Sequence, residues 1–455
     1  MSATIILGRS LRLVPRNIYR APKHGLQRQG LYLAGRQLSL SGQPPSIPST
    51  VSGEHNGITP IKYPIRRNVR TDDRHGFFWE TDLGDPRNTI KFHRGASLKP
   101  LVASRTWLRD SCTCEKCVDS SSGQKRYAST DVPSKLPISA LEVTTDGDLQ
   151  IHFENDFLTH DTHVSTYPRG IWRHPSKRFM GAIPELKLWH RESLIRASPY
   201  YSYESFMTSE PKYYAVMTAL RSYGIVFLVD VPPSEEAVKD IAGKLGVIQD
   251  TFYGTTWDVI SKPNAENVAY TSSYLGLHQD LLYMCNVPRI QLLHCLRNTC
   301  EGGESLFSDG YRAAHQFRLQ LPHQVSHLTE RPVTYHYNKG GHSYQQSRPV
   351  LSKDSKESIY WSPPFQHPIQ PDSLTQEGMF EFAEWQAAVR HLKAMFESWS
   401  SIYQYKMLPG QVAVFDNRRV LHGRCAFDSS GERWLKGAYV ENSSYESRIK
   451  SLGIA

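Results

Sequence analysis

Two short stretches far apart in the chain constrain it most. Gly276-Leu277-His278-Gln279-Asp280 carries a His-x-Asp pair, and Leu421-His422-Gly423-Arg424 carries a second imidazole. Two imidazoles and a carboxylate on one face of a metal leave the opposite positions open. That donor set suits non-haem Fe(II) that must also bind a co-substrate and O2. His-x-Asp alone also occurs in polar turns beside strands, so its surroundings decide its weight. Gln291-Leu292-Leu293-His294-Cys295 reads as a buried strand soon after it, and Val412-Ala413-Val414-Phe415-Asp416-Asn417 as another just before His422. Beyond His422 comes Arg433, on a stretch running into Gly437-Ala438-Tyr439. A guanidinium there can grip a carboxylate at two points.

The chain has 455 residues, enough for two to three domains with ample core. No apolar run approaches the length that crosses a bilayer. The net charge of +9 would suit a nucleic-acid or membrane surface. Much of the excess sits at the N-terminus, however, where residues 1–53 contain no Asp or Glu and carry Arg9, Arg12, Arg16, Arg20, Lys23, Arg28 and Arg36. This is the composition of a mitochondrial transit peptide, which predicts a matrix location. If the segment is only a basic tail, the expectation becomes cytoplasmic. Residues 42–53, rich in Pro and Ser, read as a flexible joint, and the fold is expected to begin near Ile61.

Seven cysteines fall at 112, 114, 117, 285, 295, 300 and 425. An odd total with Cys112, Cys114 and Cys117 so close is not a disulfide framework. Three thiolates on one tight loop suit zinc, whose closed structural sites take four Cys or His ligands. Leu149-Gln150-Ile151-His152-Phe153-Glu154 alternates like a strand, and His160 and His163 follow it. An iron–sulfur cluster would want four cysteines. A DNA-reading finger would want Cys2His2 spacing and a basic helix.

Further on, residues 168–200 read as a linker. Residues 224–230 read as a buried strand, and Ser234 is expected to cap a helix whose apolar face is Ala237, Val238, Ile241, Ala242 and Leu245. Met379 to Trp399 has helical spacing, with Phe380, Phe382, Trp385, Phe396 and Trp399 expected in the core. Elsewhere the strands are short and punctuated by Gly, Pro and Asn. The expected fold is mainly β with helices: a double-stranded β-helix, or jelly roll, with the metal ligands at one open mouth, preceded by a small zinc-binding β domain. The expected domains are 61–175 for the small one and 185–455 for the catalytic one.

These stretches resemble the 2-oxoglutarate-dependent dioxygenases of the taurine dioxygenase superfamily, and more closely its carnitine-biosynthesis branch, gamma-butyrobetaine and trimethyllysine dioxygenases. The resemblance runs from about Trp107 to Arg448. It implies Fe(II) on His278, Asp280 and His422, with 2-oxoglutarate held by Arg433 and by Ser305 of the Gly302-Gly303-Glu304-Ser305 turn. Ascorbate is the implied reductant, and O2 and a small trimethylammonium compound are the implied substrates. Trp107-Leu108-Arg109-Asp110 followed by Cys-x-Cys-x-x-Cys is similar to the branch's small zinc domain, and the segment His163-Val164-Ser165-Thr166-Tyr167 implies His163 as fourth ligand, with His160 as fallback.

Asp250 to Trp257, continuing to Asn267-Val268-Ala269-Tyr270-Thr271, resembles the substrate segment of gamma-butyrobetaine dioxygenases. The resemblance implies that Tyr253, Trp257, Tyr270 and Tyr439 cage the trimethylammonium group by their π faces, with Asn267 in the same pocket. Where many of those enzymes place Tyr after the metal-binding Asp, this chain has Leu281, and Tyr283 two residues later. The family's second pocket Asn has no counterpart in Tyr360-Trp361-Ser362-Pro363-Pro364-Phe365. The expected reaction is hydroxylation of gamma-butyrobetaine to L-carnitine. N6-trimethyllysine hydroxylation is the rival substrate reading, and a non-enzymatic zinc-containing adaptor with a decayed iron site is the rival class. No nucleic-acid partner is expected, and a homodimer is left open.

Overall fold

A computed structural model describes residues 67–72, 77–82, 89–93, 101–144, 146, 148–168, 185–260, 271–353, 359–371, 373–428 and 431–454. The expected transit segment and the expected pocket residues Asn267 and Tyr270 lie outside the described residues.

Strands Arg67–Asp72, Phe77–Asp82, Thr89–His93 and Leu101–Ser104 form an antiparallel sheet, followed by helix Arg105–Asp110. Strands Ile138–Val143, Leu149–Phe153 and His163–Tyr167 form a second antiparallel sheet. Period-two alternation turns Leu149, Ile151 and Phe153 inward from one strand and His163, Ser165 and Tyr167 from its neighbour. With Ile90, Phe92, Leu108 and Leu141 the apolar members make one small core.

Next comes a six-stranded sheet in the order Thr256–Ile260, Arg433–Val440, Ile290–Asn298, Gln411–Asp416, Ile225–Val229, Tyr200–Ser202. It faces a four-stranded sheet in the order Leu275–His278, Val420–Arg424, Ser305–Asp309, Tyr403–Tyr405. Residues that alternate inward from both, among them Phe227, Leu293, Phe307, Phe415 and Leu435, share one core. On the outer face of the larger sheet, Leu292, Val412, Val414, Ala438 and Val440 pack with helices Glu210–Tyr223, Ala237–Leu245 and Asn442–Ser451. The arrangement is mainly β with flanking helices and is consistent with the expected jelly roll.

Three local expectations need correction. Ser234 does not cap the helix: its hydroxyl accepts from the Glu236 amide in a turn, and the helix starts at Ala237. Part of the expected linker is ordered secondary structure, namely helix Arg191–Ala197 and strand Tyr200–Ser202, which adds in parallel to Ile225–Val229. The long helix spans Gln376–Glu397, with Thr375 accepting from the Gly378 amide at its start. Trp385 and Phe396 are in the core, but Phe380 is 65% and Trp399 74% exposed. Trp399 lies past the helix end, where the Arg191 guanidinium sits over its ring.

Candidate active site

The metal-ligand set is assembled by strand register. Strands Leu275–His278 and Val420–Arg424 are antiparallel, with His278 directly opposite His422. Cross-strand partners project from the same face, and the two imidazole centroids stand 4.3 Å apart. Gly423 permits this approach, because a Cβ there would lie 2.6 Å from the Leu275 carbonyl oxygen. Asp280 follows just past the strand end. Its Oδ1 is 3.4 Å from His278 Nε2 and its Oδ2 3.8 Å from His422 Nε2. His278 Nδ1 donates to the Gly276 carbonyl at 2.9 Å, which leaves Nε2 with its lone pair for a metal.

Burial opposes charge on these groups, and their mutual fields decide the outcome. Burial works against the Asp280 carboxylate, yet hydrogen bonding to His278, the two imidazole fields and the Tyr439 hydroxyl hold its carboxyl well below the usual range. Burial and the neighbouring His278 push His422 down to about 3, against the pull of Asp280. A neutral His422 imidazole beside an ionised Asp280 carboxylate suits ligation of a divalent cation.

The Asp280 turn is tied down from both sides. Gln279 exchanges two hydrogen bonds with Trp361, each 2.8 Å: its amide donates to the Trp361 carbonyl, and its Oε1 accepts from the Trp361 amide. The Asp280 amide donates to Asn417 Oδ1 at 2.8 Å, and Asn417 Nδ2 returns a bond to the Asp280 carbonyl at 3.1 Å. The chain then passes through Leu281 at φ 59°, a left-handed conformation that costs a non-glycine residue about 1 to 3 kcal/mol. The Leu281 side chain is buried, and its packing holds it there.

Two further donors reach Asp280. Gln291 Nε2 lies 2.7 Å and Tyr439 Oη 2.6 Å from the same oxygen, Oδ2. A carboxylate only accepts, so both groups donate to it.

One cavity collects most of the expected residues. It spans about 800 Å3 when the open solvent at its mouth is included. His278, Asp280, His422, Arg433, Ser305, Tyr253, Trp257 and Tyr439 all line it. Arg433 is buried, donates from Nε to the Gly303 carbonyl at 3.2 Å, and has no carboxylate partner among the described residues. Burial lowers its pKa, which makes an incoming carboxylate a favourable partner. Trp257 stacks on Tyr439, centroids 3.9 Å apart and planes 23° apart. The two rings therefore form one wall instead of two facing ones. Behind Tyr253, which lines the cavity, Phe252 and Tyr337 of strand Pro332–Lys339 pack against its ring.

The second cluster lies in the N-terminal sheets. His163 Nε2 is 3.4, 3.7 and 3.5 Å from the sulfurs of Cys112, Cys114 and Cys117. A tetrahedral zinc with bonds of about 2.3 Å to sulfur and about 2.0 Å to nitrogen puts unlike ligand atoms about 3.5 Å apart, so the four side chains fit that ion. Strand alternation sends His163 inward, whereas His160 is exposed. Arg109, fully buried, donates to Cys117 Sγ at 3.1 Å and grips both oxygens of Asp156 at 2.5 and 2.8 Å. Asp156 Oδ1 lies 3.9 Å from His163 Nδ1.

Sequence reasoning missed Gln291, Asn417, Arg424 and Asp156. Arg424 lines the main cavity and donates to the Thr271 and Ser273 carbonyls at 2.7 and 2.8 Å. A usable signal existed for Gln291, a polar residue inside an otherwise apolar strand.

Residues 192–439 match the protein family described as taurine catabolism dioxygenase TauD, TfdA family. Dioxygenase str8 of Strobilurus tenacellus is 33% identical over 369 residues, covering 76% of this chain and 84% of that protein. The gamma-butyrobetaine dioxygenase of Pseudomonas sp. strain AK-1 is 31% identical, covering 75% of this chain and 88% of that protein. The mitochondrial trimethyllysine dioxygenase of Homo sapiens is 27% identical, covering 76% and 82%. No helix among the described residues is long and apolar enough to cross a membrane.

Proposed function

The chain belongs to the taurine catabolism dioxygenase family as a 2-oxoglutarate-dependent enzyme, and on that premise we propose that it hydroxylates a trimethylammonium substrate of carnitine biosynthesis, gamma-butyrobetaine to L-carnitine. Family membership removes the ground for a non-enzymatic adaptor. The reading rests on one juxtaposition: the Trp257–Tyr439 stack and Asp280 line the same cavity, joined by the Tyr439 hydroxyl.

His278, Asp280 and His422 would hold Fe(II), which with 2-oxoglutarate and O2 supplies the oxidising chemistry and yields succinate. Arg433 binds the far carboxylate of 2-oxoglutarate, and Ser305 lies in the same cavity to assist. The Trp257–Tyr439 wall and Tyr253 receive the quaternary ammonium, which offers no hydrogen-bond donor and must be recognised by π faces and shape. Asn267 and Tyr270 complete that pocket in this reading. Turning a chosen carbon toward the metal is then a matter of positioning. Ascorbate serves as reductant.

Cys112, Cys114, Cys117 and His163 hold structural zinc in a domain spanning 61–175, ahead of the catalytic domain at 185–455. Residues 1–53 direct the protein to the mitochondrial matrix, and a homodimer is the oligomeric state to test. A reporter fused to residues 1–53 tests the first of these, and sedimentation of the purified protein the second.

N6-trimethyllysine is the second substrate reading, favoured by a transit-like N-terminus and by the absence of Tyr after Asp280. Incubation with Fe(II), ascorbate and 2-oxoglutarate separates the two. Mass-spectrometric detection of L-carnitine supports the first, and hydroxytrimethyllysine the second. If no quaternary ammonium compound stimulates succinate release, the trimethylammonium reading is wrong.

A further inference from the structure

Asp280 must do two things at once. It has to ligate a metal, and it has to leave room on that metal for two other molecules. A carboxylate that binds through both oxygens occupies a coordination position that a three-residue ligand set is meant to leave open. Which oxygen is available is written in the hydrogen bonds around it.

Each carboxylate oxygen has two lone-pair directions. At Oδ2 both are taken, by Gln291 Nε2 at 2.7 Å and Tyr439 Oη at 2.6 Å. Oδ1 lies 3.4 Å from His278 Nε2; Oδ2 lies 3.8 Å from His422 Nε2, and Gln291 Nε2 stands on that side, 3.5 Å from the same nitrogen. Both donors come from the larger sheet: Gln291 and Tyr439 are register partners on the adjacent strands Ile290–Asn298 and Arg433–Val440. They approach Asp280 side by side from one direction, as a fork. The Tyr439 ring also carries Trp257 on its face. A phenol hydroxyl is rigid with its ring, so the position of that donor is set by the stack.

We propose that Gln291 and Tyr439 are positioning residues that clamp Asp280 Oδ2 and present Oδ1 alone to the metal, and that Tyr439 transmits occupancy of the aromatic wall to that ligand. The inference rests on the Fe(II)-site reading given above. It predicts that the clamp matters before any substrate is present, because the fork is complete in the protein itself. It also predicts that a quaternary ammonium seated against Trp257 and Tyr439 alters the metal's surroundings without touching the metal.

The test uses full-length, zinc-loaded, iron-free enzyme titrated with Co(II), whose visible absorption responds to its ligand set. Tyr439→Phe keeps the ring and its stack while removing the donor, and Gln291→Met keeps reach and bulk. Each is expected to weaken Co(II) binding about tenfold, the usual effect of losing an outer hydrogen bond to a ligand, and to shift the Co(II) band as the second Asp280 oxygen replaces a solvent ligand. With 2-oxoglutarate bound, gamma-butyrobetaine should shift the Co(II) band of the wild type and leave that of Tyr439→Phe unmoved. Wild-type affinity and an unaltered spectrum in both variants overturn the clamp. Weaker binding with an unaltered spectrum overturns the one-oxygen assignment, because it means a general loosening. A band shift that survives in Tyr439→Phe overturns the transmission through Tyr439. If the wild type binds no Co(II) at all, the iron-site reading itself fails and takes the clamp with it.

Discussion

The Trp257 indole lies across Gly437, its neighbour on the adjacent strand, so closely that a Cβ on Gly437 would stand 2.4 Å from the ring. The absence of a side chain at 437 is what lets the indole lean over to stack on Tyr439. Gly437→Ala should therefore push the ring off its seat. The expected result is a KM for the trimethylammonium substrate raised about three- to thirtyfold, as for Trp257→Leu, since each desolvated cation–π contact contributes about 0.5 to 2 kcal/mol. Steady-state kinetics with a neutral tert-butyl analogue is the control. A packing defect would penalise both ligands equally, whereas loss of the π face penalises only the charged one.

Arg433 is buried and has no carboxylate partner among the described residues. Arg433→Met should raise the KM for 2-oxoglutarate about thirty- to hundredfold, the effect of removing one side of a buried charge-assisted pair worth about 2 to 3 kcal/mol. Metal binding measured in the absence of 2-oxoglutarate should be unchanged. A variant that loses the metal instead would move Arg433 from co-substrate binding to scaffolding.

In the N-terminal sheets, Asp156 is the hinge between Arg109 and His163. Asp156→Ala leaves the Arg109 guanidinium buried without its carboxylate, which should destabilise this region by about 3 to 5 kcal/mol. It should also weaken zinc about ten- to a hundredfold against a competing chelator. Urea unfolding and metal analysis check the two effects separately. Cys114→Ser should lose zinc outright. Retention of both zinc and wild-type melting in Cys114→Ser would refute a structural metal.

His294 gives the fold a pH dependence unrelated to chemistry. Its ring is fully buried in the larger sheet, with no partner for either nitrogen among the described residues, and burial lowers its pKa to about 4. The unfolded chain takes up a proton near the ordinary value of about 6.5, well before the native state does. Stability contributed by neutral His294 is thus complete above about pH 6.5, is lost as pH falls toward about 4, and amounts to about 3 kcal/mol over that window. Denaturant unfolding between those limits should show a flatter profile for His294→Leu than for the wild type. Parallel profiles would show that another group titrates.

The parts of each candidate cluster that were legible are local. The His278-x-Asp280 pair and the three cysteines stand out by residue type and spacing, whereas His422 and His163 lie far along the chain and are brought in by the fold. The alternation of Leu149 to Phe153 and of Gln291 to Cys295 gave the strands that frame each site. The contacts that came from tertiary packing were not legible. Gln291 looked like a strand residue, and only strand order puts it beside Asp280. Asn417 looked like the end of a strand, and it fastens the Asp280 turn from across the sheet. The stack of Trp257 on Tyr439 could not be read either, because separate aromatics in a sequence suggest surrounding walls, and it takes register to show that two of them share one wall. The exposed Phe380 and Trp399 show the same limit from the opposite side: helical spacing identifies an apolar face but not where the neighbouring elements stop covering it.

Both facing sheets receive a middle strand from the end of the chain. Val420–Arg424 slots between Leu275–His278 and Ser305–Asp309, and Arg433–Val440 between Thr256–Ile260 and Ile290–Asn298. During synthesis, the earlier strands leave the ribosome with their hydrogen-bonding edges open and wait for partners that are translated later. Such exposed edges invite pairing with other nascent chains, so this protein should lean on chaperones until Val420–Arg424 and Arg433–Val440 emerge.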